Sequence, residues 1–512
     1  MKKNNEHLRP VMLAGTGSDV GKSIIATALC RIMVQDGYRP APFKAQNMAL
    51  NSYATPDGRE IGRAQAVQAE AARVAPHTDM NPLLLKPNSE HTTQVVLNGR
   101  PMGNRSAYDY FRREGREELR REVCNAFDRL ALRYNPIVME GAGSISELNL
   151  RDSDLVNMPM ARHADAKVIL VADIDRGGVF ASAYGSIMLQ TPEDRERICG
   201  IIVNKFRGDL RLFDEGRRML EEICGVPVLG VVPMFRGICI DQEDSLDSPP
   251  ALPVGREPLR ERGPLREGRG AKVAVVLLRH ISNFTDFNAL ERDERVCLFY
   301  TTSAQDIEQA DVIIIPGTKS TLDDMLFLRR SGMAQAILRA HHDGKTIVGV
   351  CGGYQMLGQM ISDPDHVEGS IEQLPGLGLL DTMTVMGREK TTRQVEFEFE
   401  GSVCHGYEIH QGTTCYMDGS NVTERIVVSG GRSPHEHCVI GTYVHGLFDN
   451  PAVIDYVLHS YRPSAPKYID ASDFKDQQYD LLAEHVRRYV DIEAIYKSLS
   501  PRPLHQGEGA TS

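Results

Sequence analysis

The chain has 512 residues, 41% hydrophobic and 25% charged, with a formal net charge of -11. That length exceeds a single hydrophobic core and predicts two or three domains, and the acidic balance excludes non-specific binding to nucleic acid or anionic lipid. No apolar run is as long as a bilayer span, and Met1–Pro10 carries charge with no apolar stretch behind it, so neither a membrane span nor a secretory leader is predicted.

From the amino end, short β-branched runs alternate with helix-length mixed segments. Strands are predicted at Val11–Ala14, Pro136–Glu140, Val168–Asp173, Ile201–Lys205 and Val228–Val232. Each is almost continuously apolar, as strands buried on both faces are. Gly21–Gln35 and Tyr110–Tyr134 between them read as helices, with the charged run Arg112–Arg121 as a solvated face. The sum is an α/β chain whose residues 1–240 form a doubly wound, parallel-sheet P-loop domain. Residues 241–270 are rich in Pro, Gly and Arg and read as a linker. A second α/β pattern starts at Val273–Leu278 and continues through Val312–Ile315 and Ile347–Val350. From about Thr382 to Val444 it becomes strand-rich. This second domain spans 271–455. Residues 456–512 read as a helical extension, with one closing helix at Tyr479–Leu499 and a polar tail.

Residues 11–23 read VMLAGTGSDVGKS: a strand, a glycine-rich turn and a helix start. Backbone N–H groups of Gly15, Thr16, Gly17, Ser18, Asp19, Val20 and Gly21 can cradle phosphate, aided by the helix N-terminus. Lys22 would reach the terminal phosphates and the Ser23 hydroxyl would bind Mg²⁺. The strict P-loop has Gly where Thr16 stands, so the motif departs from the consensus. In that departure it resembles dethiobiotin synthetase, whose loop also starts Gly-Thr. The resemblance implies Lys44 (PFKAQN) near the phosphates, Asn204 (VNKF) on adenine, and Glu60 and Glu140 (VMEGAG) as metal ligands beside Ser23. Partitioning ATPases carry a second Lys early in this loop; here that place is Gly17.

Residues 345–359 read KTIVGVCGGYQMLGQ. A strand ends at Val350, Cys351 follows, and a helix begins at once, as in a nucleophile elbow. Gly349 and Gly353 leave room for the turn, and the helix N-terminus favours thiolate below its usual pKa of about 8.5. The N–H groups of Gly352 and of Gly317, in the Pro316–Thr318 loop, can form an oxyanion hole. Ten cysteines are present with no Cys-x-x-Cys pair, which suits reduced thiols in the cytoplasm. The other nine are read as structural, and the group His435, His437 and Cys438 lacks a second pair of metal ligands. The base for Cys351 is His445, in GTYVHGLF. Gly-x-Cys-x-Gly-x-Gln is the spacing of class I glutamine amidotransferases. Their triads place Glu two residues after the His; here Leu447 stands there. A Cys–His dyad is therefore expected, with Glu408, in HGYEIH, as the alternative acid.

A dethiobiotin-synthetase-like ATPase fused to a triad-deficient class I glutaminase resembles the cobyrinate and cobyrate amidotransferase family. The likeness runs from about Pro10 to Asn450, through GTGSDVGKS, PFKAQNMALNSY, GREIGRAQ, ADIDRGGVFA, IVNKFRGD, PGTKST, GVCGGYQMLG, HGYEIHQG and YVHGLF. It implies ATP, Mg²⁺ and glutamine as reactants or cofactors. It further implies a corrinoid, adenosylcobyrinic acid a,c-diamide, amidated at its b, d, e and g carboxylates. The branch that acts on the a and c carboxylates is the nearer rival. A regulatory ATPase with a dead glutaminase is the non-enzymatic one, and intact Cys351 and His445 argue against it.

Overall fold

The computed structural model describes residues 7–87, 92–106, 116–235, 237–241, 270–430, 438–458 and 471–501. Residues 242–269 of the predicted 241–270 linker, the polar tail after 501, and His435 and His437 lie outside them. Among the described residues no helix is long and apolar enough to cross a membrane.

The amino-terminal sheet has six parallel strands, in the order Val228–Pro233, Ile198–Phe206, Lys167–Asp173, Val11–Gly15, Ile137–Glu140, Ala41–Phe43. Val11–Gly15 is central and wholly buried, so its carboxyl end delivers the glycine turn to the middle of the sheet edge. Open α/β sheets bind ligands at that edge. Helix Lys22–Gln35 follows, starting from Gly21 at φ 99°. A side chain at Gly21 would strike the Asn204 amide, so only glycine fits there. The predicted helix through Tyr134 is described over Arg116–Ala131.

The second domain holds another mostly parallel sheet, ordered Val296–Thr301, Ala271–Val276, Val312–Ile315, Thr346–Val350, Val439–Thr442, Ile426–Ser429, the last strand antiparallel. Thr346–Val350 carries Cys351 at its carboxyl end. A long antiparallel pair, Thr382–Phe399 and Ser402–Tyr416, explains the strand-rich sequence and pairs with Val444–His445. That ribbon also reaches the first domain. Gln394 Nε2 donates to the Ala54 carbonyl at 3.2 Å, and the rings of Tyr53 and Tyr407 meet at 5.0 Å between centroids.

The closing helix expected at Tyr479–Leu499 is two helices, Ala471–Tyr489 and Ile492–Leu499. Asp491 breaks them, its carboxylate accepting from Ala494 N at 2.9 Å as an N-cap. They do not extend the glutaminase domain. They return to the first domain and complete its core, where Tyr479, Leu482 and Val486 pack with Ile25, Leu29 and Met33 of the P-loop helix. Arg31 is buried against this helix and pairs with Asp480 at 2.7 Å and Asp476 at 3.1 Å. Leu482→Ala removes a fully buried side chain from that contact. It is expected to cost about 2–5 kcal/mol, read as a lower denaturation midpoint of the nucleotide-binding domain. An unchanged midpoint would mean that the helix is not part of that core.

Candidate active site

Cys351 sits at φ 54°, ψ -111°, a backbone conformation that a non-glycine residue adopts only when its surroundings enforce it. Here they do. Cys351 N donates to Thr442 O at 2.8 Å, and Gln355 N returns to Cys351 O at 3.1 Å. A Cβ on Gly353 would lie 2.0 Å from Ile315 O, and one on Gly349 would lie 2.7 Å from Gly353 O. Both flanking glycines are therefore required by close packing of strand, turn and helix. Gln355 locks the helix in place: it accepts from Thr321 Oγ1 and donates to Gln411 O, each at 2.9 Å. Across the turn, a Cβ on Gly317 would lie 3.5 Å from Cys351 Cβ and 3.3 Å from His445 Cε1. The Gly317 loop thus faces both side chains, next to the Gly352 backbone.

His445 is buried, and its Nδ1 is 2.7 Å from Asp286 Oδ2. The other carboxylate oxygen of Asp286 accepts from Gly446 N at 3.0 Å. A carboxylate acceptor at Nδ1 makes that nitrogen the donor and leaves Nε2 for the thiol. Burial alone would lower the imidazole pKa. The Asp286 charge and hydrogen bond, with the neighbouring Cys351, outweigh it and raise the value to about 10. The Tyr407 ring stacks on the imidazole at 5.4 Å. A pocket opens over Cys351, bordered by Ser282, Thr318, Lys319, Gln355, Glu368 and His410. Burial pushes the Glu368 carboxyl up to about 7, against hydrogen bonds from the Thr321 N–H and hydroxyl.

In the first domain the glycine turn closes around Lys22, whose Nζ donates to Gly17 O at 2.8 Å and Gly143 O at 3.0 Å. The Ser23 hydroxyl donates to Glu140 Oε1 at 2.8 Å, and Lys44 Nζ lies 2.9 Å from the same oxygen. Gln68 Nε2 donates to Glu140 Oε2 at 2.6 Å. Burial would raise the Glu140 pKa; Lys44 and these donors hold it below the usual carboxylate range. A hydroxyl and a carboxylate from distant segments converge beside a phosphate loop. That hard-oxygen pair suits Mg²⁺. Asn204 donates its amide to Val20 O at 2.9 Å and braces the loop.

Two family models match the chain: a CobQ/CobB/MinD/ParA nucleotide binding domain over residues 11–244, and a CobB/CobQ-like glutamine amidotransferase domain over residues 272–453. A cobyric acid synthase from Bacteroides fragilis is 62% identical, over 97% of this chain and 99% of its own. One from Parabacteroides distasonis is 52% identical over 96% and 99%, and one from Limosilactobacillus reuteri 45% over 96% and 98%. The chain belongs to the cobyric acid synthase family. It is a glutamine-dependent ligase of cobalamin biosynthesis, with a nucleotide-binding domain joined to a glutaminase domain.

Two sequence expectations for this family member need correction. The first is the dyad. His445 has an acidic partner, Asp286, supplied by the turn Phe284–Phe287. Glu408 is occupied elsewhere, by Arg393 Nε at 2.6 Å and an Arg425 terminal nitrogen at 3.0 Å. Leu447 is fully buried in the apolar core. Asp286 precedes His445 by 159 residues, so no local motif links them. The one sequence signal was an aspartate set between two phenylalanines, in NFTDF. The second correction is Glu60, expected as a metal ligand beside Ser23 and Glu140. Its two oxygens are taken by Lys86 and Lys390 instead, which leaves Ser23 and Glu140 as the candidate metal pair. Gln68, which sequence reasoning did not single out, completes the Glu140 site.

Asp286→Asn is expected to slow glutamine hydrolysis ~100-fold or more, because an amide stabilises imidazolium less and can select the wrong tautomer. Glu408→Gln should stay within about threefold of wild type, since Glu408 lies off the imidazole. The reverse ranking, measured as glutamate release at saturating glutamine, would restore Glu408 as the acid. The imidazole pKa is raised from 6.5 to about 10 on folding, so its charge stabilises the fold fully below pH 6.5. That contribution disappears as pH rises through about 10. In Asp286→Asn the opposing effect of burial dominates, and NMR should show His445 titrating well below the wild-type value. An unshifted titration would mean that Asp286 does not hold the charge.

Proposed function

We propose that this chain amidates the b, d, e and g carboxylates of adenosylcobyrinic acid a,c-diamide, using ATP and the amide nitrogen of glutamine. The observation that carries the reading is the presence, in one chain, of a Cys351–His445–Asp286 arrangement and a phosphate loop with Lys22, Ser23 and Glu140. Each solves half of a chemical problem. A carboxylate is a poor electrophile, and ammonia at neutral pH is mostly protonated and so a poor nucleophile.

At the glutaminase site the Cys351 sulfur attacks the glutamine side-chain carbonyl. The N–H groups of Gly352 and Gly317 face the developing oxyanion. His445 passes a proton to the leaving nitrogen, ammonia departs, and water then cleaves the thioester to glutamate. Asp286 holds the imidazole in the productive tautomer throughout. Glu368 on the pocket wall suits the α-ammonium of an arriving amino acid.

At the synthetase site the corrinoid carboxylate attacks the γ-phosphorus of ATP and ADP leaves, giving an acyl phosphate. Ammonia then attacks the acyl carbon and phosphate departs. The turn from Gly15 to Gly21 and Lys22 would hold the phosphates, with Lys44 close by and Asn204 at the adenine side. Mg²⁺ held by Ser23 and Glu140 would offset the phosphate charge.

The site assignments separate on substitution. Cys351→Ala is expected to abolish glutamine-dependent amidation while keeping most of the activity with high ammonium. Lys22→Ala should remove amidation from either nitrogen source, because activation precedes amide formation. Both are read by mass spectrometry of the corrinoid, each new amide lowering the mass by about one dalton as OH becomes NH₂. Ammonium activity lost in folded Cys351→Ala, or normal amidation by Lys22→Ala, would contradict the assignment.

A further inference from the structure

A group of buried charges outside these two sites lies in the seam between the domains. Glu60, in strand Glu60–Gly62, is 1% exposed. Its Oε1 accepts from Lys86 of its own domain and its Oε2 from Lys390 of the glutaminase ribbon. Lys86 is fully buried and also donates to Ser52 Oγ at 2.7 Å. Lys319, two residues after Gly317, lies within hydrogen-bond reach of Lys86 and close to Lys390. Three amines therefore gather around one carboxylate, and they come from both domains.

This cluster borders the glutaminase pocket. Lys319, Lys390 and Asn283 line the pocket together with Cys351, and so does Gln94, which belongs to the nucleotide-binding domain. Gln94 is the register partner of Lys86 in the antiparallel pair Leu83–Pro87 and Thr92–Leu97. Asn283 Oδ1 accepts from Ser52 N at 3.3 Å. One wall of the Cys351 pocket is thus the seam itself, and Glu60 is the carboxylate that joins its two sides. Burial lowers Lys86 and Lys390 to about 8 even against the opposing attraction of Glu60, so these amines depend on Glu60 to stay charged and close. Without it, Lys86 and Lys390 lose the shared acceptor that joins the two sides of the seam where the pocket meets the other domain. The surplus of amines also disfavours ammonium in that volume, which suits transfer of nitrogen as neutral ammonia.

We propose that Glu60 is a positioning residue that seals the glutaminase pocket against the nucleotide-binding domain, so that ammonia released at Cys351 crosses the seam rather than escaping to solvent. The inference rests on the functional reading above.

The test uses the full chain with ATP, glutamine and adenosylcobyrinic acid a,c-diamide, and measures amide formed per glutamate released. The wild-type ratio should be close to one. Glu60→Gln and Lys390→Met should each lower it by about threefold or more, and the double variant should be no worse than the weaker single one, as for residues acting as one unit. Glutamate release should persist, because Cys351, His445 and Asp286 are untouched, and ammonium-dependent amidation should stay within about twofold. Lys390→Met leaves Glu60 paired with Lys86 and carries the test should Glu60→Gln not fold. An unchanged ratio in Lys390→Met overturns the proposal. So does loss of ammonium-dependent amidation in folded Glu60→Gln, which would place Glu60 in the phosphoryl chemistry. A wild-type chain that adds no amide from either nitrogen source would refute the functional reading itself.

Discussion

A carboxylate taken out of water must meet a cation or several donors, since leaving it unpaired costs roughly 3–5 kcal/mol. That constraint organises the functional regions of this chain. Asp286 faces His445, Glu140 faces Lys44, and Glu60 faces Lys86 and Lys390. Every one of these carboxylates is buried. The partners are 159, 96, 26 and 330 residues apart in sequence, so each pair is satisfied only when distant elements dock in one arrangement. The same pairings that define the chemistry therefore also select the fold.

The two domains solve the placement problem alike. In each, a central parallel strand ends at a glycine-bearing turn and a helix starts at once, which brings reactive groups to the carboxyl edge of the sheet. What differs is the turn. In the first domain it is long, and Lys22 is held between its Gly17 carbonyl and that of Gly143. In the second it is a single strained residue, Cys351, exposed to a pocket and pinned by Thr442 and two tightly packed glycines. The long ribbon Thr382–Phe399 and Ser402–Tyr416 links them: it carries Lys390 to the seam and orders Tyr407 against His445.

How much of this was legible in the sequence depended on distance along the chain. Cys351, Gly349 and Gly353 were readable because their geometry is local and the glycines have steric work to do. Lys22 and Ser23 were readable as the helix start after the glycine turn and Glu140 as a strand-end residue, and the structure brings Ser23 and Glu140 together. His445 was found from its place after an apolar run, but its partner was not. Asp286 sits on another element, and a rule based on the position of Leu447 could point only to an absence. Glu60 was misplaced for a related reason. Spacing identifies a buried carboxylate but not which cation will face it, and its cations come from two domains. The carboxyl-terminal helices read correctly as helical, yet their apolar stripe does not say which core it will join.

One chain with both sites makes sense if nitrogen released at one is consumed at the other. The most direct measurement supplies glutamine labelled with ¹⁵N at the side-chain amide, in a buffer containing unlabelled ammonium, together with ATP and adenosylcobyrinic acid a,c-diamide. Chromatographic separation by remaining carboxylate charge counts the new amides, and mass spectrometry of the separated product reads their label, because a ¹⁵NH₂ group in place of OH leaves the mass almost unchanged. Four new amides are expected, each carrying ¹⁵N, with unlabelled ammonium contributing little. New amides that carry the buffer's unlabelled nitrogen, or no new amides at all, would contradict it.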